Sequence, residues 1–113
     1  MSLATDRDAI AASLADVDGV TGYPMRPKAL SAGDAWPLLS SLDRGPGESW
    51  QATWRVLLCL GGSEVDATLL LDQVLADVLD ALGAVSYVEG VTPVLIAATG
   101  GDMFAAEFRL RSE

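Results

Sequence analysis

Residues 50–83 read WQATWRVLLCLGGSEVDATLLLDQVLADVLDALG, and the change of period inside that stretch decides the fold. Read in twos, Trp50, Ala52, Trp54, Val56, Leu58 and Leu60 share one face of an extended segment. The other face starts with Gln51, Thr53 and Arg55 and turns apolar at Leu57 and Cys59. This is a strand with one buried face in its first half and two in its second. Gly61-Gly62 breaks the run, and Ser63 with Asp66 three residues on is a variant capping box that opens a helix. The period then becomes helical: Leu71, Leu75, Val78 and Leu82 form a stripe, widened by Leu70, Val74 and Leu79. Gly83 stands where a left-handed terminator is expected.

Working outward, Thr5 with Asp8 predicts the start of a first helix, whose stripe is Ile10, Leu14 and Val17 with Ala11, ended by Asp18-Gly19. VTGYPMRP (20–27) reads as an edge strand or polyproline-like arm, because Pro24 and Pro27 lack donors. Residues 34–43 are a second extended segment with Trp36, Leu38 and Leu42 on one side and Pro37 marking edge character. The connection RGPGES (44–49) is too long for a tight turn and reads as mobile. After the second helix, AVSYV (84–88) reads as a short strand, Glu89-Gly90 as a turn, and 91–99 as a strand with Val94, Ile96 and Ala98 on one face. Gly100-Gly101 signals a hairpin into a last strand, where Phe104, Ala106, Phe108 and Leu110 alternate with Met103, Ala105, Glu107 and Arg109. The expectation is one α+β domain, a mostly antiparallel sheet of about five to six strands flanked by two helices.

The totals narrow the function. The 113 residues are half apolar, enough for a real core. Seven basic residues stand against 16 acidic, a formal charge of −9. The cations are spread at Arg7, Arg26, Lys28, Arg44, Arg55, Arg109 and Arg111, without a run suited to phosphates, so direct nucleic-acid affinity and an anionic membrane surface are both disfavoured. One cysteine and no CxxC fit a reducing cytoplasm. The N-terminal MSLATDRDAI lacks the basic and apolar segments of a signal peptide, and no apolar stretch is long enough to span a bilayer; the chain reads as soluble.

No motif carries catalysis, a metal or a cofactor. There is no histidine to act as base or ligand. The acids Glu64, Asp66, Asp72, Asp77 and Asp80 fall opposite the apolar stripe, not in a pocket where paired carboxylates could work. DRDAI and DVDG are too short for a hard-cation loop. GGSEVDA precedes a helix as a phosphate loop does, but it has no lysine and carries acids where phosphate would bind. Cys59 is a small buried residue by its setting. Trp50 and Trp54 are expected in the core; Trp36 fits a core or an interface. The helix acids read either as a solvated face or as a surface held acidic for a partner.

The order of elements has a likeness. A short helix, the GYPMRP arm, the W…W-V-L-L strand, a leucine-rich helix and the PVLIAATGGDM hairpin together resemble the tail terminator (tail completion) proteins of long-tailed bacteriophages, especially the small acidic versions of actinobacterial phages. The resemblance implies a structural virion protein, assembled in the host cytoplasm and located at the tail–neck junction, with no enzymatic activity and no cofactor. It implies a hexameric ring that caps the tail tube protein, ends elongation and offers a surface to the head–tail connector or neck protein. DNA would pass through its lumen without specific binding. Six copies at −9 each carry about −54, and an acidic wall would let DNA slide. Candidate lumen or ring-interface residues are Asp66, Asp72, Asp77, Asp80 and Asp102. Candidate tube or connector contacts are the loop Arg44, Gly45, Pro46, Gly47 and Glu48 and the tip Gly100 and Gly101. Another head–tail joining protein, or a monomeric acidic cytoplasmic module that binds a basic protein, fits the same residues. Self-assembly separates them, because a ring needs a non-isologous apolar contact and a monomeric module does not.

Overall fold

A computed structural model describes residues 3–45, 47, 49–98 and 100–111. Two helices lie on one face of a five-stranded, mostly antiparallel sheet, an α+β fold. The elements are α1 (Leu3–Ala15), β1 (Thr21–Gly22), β2 (Asp34–Arg44), β3 (Trp50–Gly61), α2 (Glu64–Gly83), β4 (Tyr87–Ala98) and β5 (Gly101–Arg111). The order across the sheet is β1-β2-β3-β5-β4, with β1 parallel to β2 and the other pairs antiparallel.

The helix-covered face holds the core. Ala52, Trp54, Val56, Leu58 and Leu60 of β3 meet Ile10 and Leu14 of α1, Val74, Val78 and Leu82 of α2, and Ala106, Phe108 and Leu110 of β5. The expected alternation of β3 and β5 is observed, and the second half of β3 is buried on both faces through Leu57 and Cys59. Ser63 is the α2 N-cap: its hydroxyl accepts from the Asp66 amide, satisfying one of the first-turn donors.

Several boundaries differ from expectation. α1 begins at Leu3, so Thr5 lies in its first turn and not at its cap, and it ends at Ala15, before Asp18-Gly19. Of the 20–27 arm only Thr21–Gly22 pairs as a strand. Gly22 lies so close under α1 that an added Cβ would meet the Ala11 carbonyl oxygen at 2.3 Å. Gly83 does not adopt a left-handed conformation; α2 ends through Ala84, whose amide donates to Asp80, and Ser86, whose amide donates to Leu82. Residues 84–86 form no strand, and Glu89-Gly90 is not a turn but a bulge inside a continuous β4, where the register with β5 shifts. The last run therefore contains two strands where three were expected. At the β4–β5 tip, Gly100 and Gly101 have φ of 95° and 128°, which only glycine adopts readily. Pro46, Glu48 and Thr99 lie outside the described residues.

The tryptophans divide in an unexpected way. Trp54 is buried as expected, and Trp36 is fully buried on the face away from the helices. Trp50 corrects the core assignment: it is 51% exposed, because it lies at the end of β3 that the helices do not reach.

Candidate functional site

Most carboxylates of the described residues are exposed. No group of three His, Cys, Asp or Glu among them is placed to hold a metal ion. Cys59 is fully buried, with its thiol 3.7 Å from the Met103 sulfur. Burial pushes that thiol above its ordinary value, outweighing the lowering by a backbone hydrogen bond at Gly61. A thiol kept neutral in this way is a poor nucleophile. The features with functional content are surfaces.

The candidate acids do not form one patch. Asp66, Asp77 and Asp80 are exposed on the side of α2 that faces away from the sheet. Asp72 sits further round the helix and lines a groove instead. Asp102 is exposed on β5, opposite Ala97 and next to the β4–β5 tip. α2 has no basic residue, so its acids have no partner within the helix to offset them. They persist on a helix that would gain slightly from cations in its last turn.

The cations are organised, although their spacing in the chain hides it. Four arginines lie over aromatic rings: Arg7 over Trp54 at 5.5 Å, Arg26 over Trp36 at 5.6 Å, Arg44 over Trp50 at 4.7 Å and Arg111 over Tyr87 at 5.1 Å. Each contact contributes on the order of 0.5–1 kcal/mol where exposed. Two of these pairs follow from hairpin register, because Arg44 is directly opposite Trp50 and Tyr87 directly opposite Arg111. The Arg44–Trp50 pair is symmetric about its turn, which is a signal the sequence carries, whereas Tyr87 meets Arg111 only because the bulge at Glu89 shifts the register by one residue.

Register also brings together cations that the linear reading left scattered. On the helix-free face of the sheet Arg55 stands directly opposite Arg109, with Arg111 two residues along. Glu107, opposite Leu57 and two residues along β5 from Arg109, pairs with Arg55 at 3.6 Å, while Arg109 donates to the Thr92 hydroxyl at 2.6 Å. Arg26 lies over the same face and donates to the Ala97 carbonyl, so the 23–33 segment ties β2 to β4. One face of this acidic protein is therefore studded with arginine, and the opposite side carries the acids of α2.

Exposed apolar residues mark two further regions. At the end of the β2–β3 hairpin, Leu42 and Trp50 are exposed on the helix-bearing face, beyond the helices, and Leu39 is partly exposed opposite Trp54. At the opposite end of β3 a groove of about 260 Å³ runs between α2 and the β4–β5 hairpin, floored by Leu60, Ala67, Leu71 and Phe104 and flanked by Glu64 and Asp72. Val65 and Leu69 on α2, and Leu95 on β4 opposite Phe104, are each at least 60% exposed. Of the candidate contact loops, Arg44 is on the first of these regions, Gly45 closes the hairpin by donating to the Ser49 carbonyl, Gly47 is exposed, and Pro46 and Glu48 fall outside the described residues. Gly100 and Gly101 are exposed at the far tip.

Among the described residues no helix is long and apolar enough to cross a membrane. No protein-family model matches the sequence, and no curated protein matches it either.

Proposed function

We propose that this chain is a structural virion protein of the tail-terminator kind, forming a hexameric ring that caps the phage tail tube and joins it to the head connector. The observation that carries the reading is the presence of two exposed apolar regions at opposite ends of one strand, around Trp50 and around Leu95. A protein that repeats around an axis needs two different surfaces, one for each neighbour, and large hydrophobics left bare in the single chain are what such contacts cover. The order of elements and the acidic balance support the same reading. Asp66, Asp77 and Asp80 are the acids best placed to line a lumen, since they share the outward side of α2. Phosphates passing such a wall find no counter-charge to bind.

The test is the mass of the purified protein by light scattering across a concentration range, with and without tail tubes. The expected result is a hexamer, alone or on the tubes. A stable monomer indifferent to tubes overturns the reading in favour of the acidic binding module. The lumen assignment has its own test: reversing Asp77 and Asp80 to lysine is expected to slow DNA passage and reduce infectivity. Unchanged DNA retention and infectivity would remove those acids from the lumen.

A further inference from the structure

The groove beside α2 and the bare end of the β2–β3 hairpin are complementary in three respects. The first is polarity: the groove floor is apolar, and the hairpin offers Leu42 and Trp50 on one face, both exposed. The second is charge. Glu64 and Asp72 flank the groove, where no cation lines it, and Arg44 rides on the Trp50 ring. The third is size. At about 260 Å³ the groove falls below the roughly 300–1,000 Å³ typical of small-molecule sites, and suits one or two side chains.

Their positions exclude an internal contact. Trp50 and Leu60 lie at opposite ends of β3, about 33 Å apart at the rise of a strand. The helices stand on the same face of the sheet between them. Two different surfaces that meet make a head-to-tail contact, which leaves each copy one of the two to offer to the next.

Resting on the ring reading, we infer that each copy of this chain inserts its β2–β3 hairpin into the groove of the next. Leu42 and Trp50 enter the groove, and Arg44 meets Glu64 and Asp72. The tip glycines remain free to reach tube or connector, while the flank of the same hairpin holds the ring together. An aromatic side chain with an arginine beside it, entering a desolvated pocket, is the usual composition of an interface anchor.

Two single variants of the full chain break the contact from opposite sides. Trp50→Ser removes the anchor at an exposed position, and Thr68→Trp fills the groove from the exposed side of α2, where Thr68 lines it. Each is expected to weaken self-association at least about 30-fold, with circular dichroism and thermal unfolding of the monomer unchanged. If wild type assembles only on tail tubes, the comparison is made there. Mixing the two variants restores one contact and no more, so 1:1 pairs and nothing larger are expected. Arg44→Glu is expected to weaken assembly, and Glu64→Arg in the same chain to recover part of it.

Both variants assembling like wild type would overturn the inference and leave the ring reading intact. Variants that keep self-association but lose tube binding would assign the groove to the tube protein instead. A wild-type chain that stays monomeric with and without tubes would overturn the inference together with the ring.

Discussion

Trp54 and Trp50 stand four residues apart on the same face of β3, yet one is 1% exposed and the other 51%. Trp54 has Arg7 of α1 over its ring and belongs to the core that both helices close. Trp50 has Arg44 over its ring and no helix above it. Strand periodicity assigned both to one face, and that assignment holds. Burial is a separate matter: it depends on how far the covering layer extends along the strand. The difference teaches that a two-residue repeat predicts direction, and that only the covering element predicts depth.

The largest expected effect widens this contrast. Trp54→Ala should destabilise the fold by about 3–5 kcal/mol, as aromatic truncations in cores do, and Trp50→Ala by less than about 1 kcal/mol in the monomer. Urea unfolding under conditions where the protein is monomeric measures both, and equal costs would break the comparison.

Next comes the seat of α1 at the covered end. Gly22→Ala would press a methyl against the Ala11 backbone, and a loss of about 1–3 kcal/mol is expected, since the close contact is backbone that cannot swing aside. A neutral result would mean that α1 moves easily and that the cover over Trp54 is loose. A smaller effect concerns α2, which covers the other half of β3. Ser63→Ala removes the hydroxyl that accepts from Asp66 and should cost about 1 kcal/mol. Protection of the first-turn amides from hydrogen exchange should fall with it, and unchanged protection would show that the cap is not what starts the helix.

The smallest effect is on the outward side of α2. Asp80→Lys replaces an acid near the negative end of the helix dipole and should stabilise the monomer by about 0.3–1 kcal/mol. A thermal melt at low salt would detect it, and a loss of stability would mean that the carboxylate has a structural partner.

Legibility in the sequence followed the range of the interaction. The strand at 50–61, the Ser63 cap, the 101–111 alternation and the α+β class were readable because each depends on neighbours two to four residues apart. The misread places were those where sequence-local rules compete with pairing. Glu89-Gly90 has the composition of a turn, yet it is a bulge because β4 continues alongside β5. Gly83 fits a helix terminator, yet the chain turns out of α2 through Ala84 in a right-handed conformation.

The candidate surfaces were less legible than the fold. The helix acids could be placed on the outer side of α2 from their spacing, but not the departure of Asp72 toward the groove, which exists only because the β4–β5 hairpin lies beside the helix. Arg55, Arg109 and Arg111 are far apart in the chain and become neighbours through the register of β3 with β5.

By itself the sequence determined the periods, and with them the core faces of β3, β5 and α2, where α2 begins and the acidic character of its outer side; in β2 the bulge between Leu39 and Ser41 turns Leu42 to the face opposite Trp36 and Leu38, against the single side expected for all three. Those properties are local, set by rotamers, caps and side-chain direction within a few residues. The tertiary structure decided the strand order, the burial of Trp36 beneath Arg26, the exposure of Trp50 and the existence of the groove. Each of these depends on two segments meeting that are distant in the chain, and no local pattern records where a covering element stops.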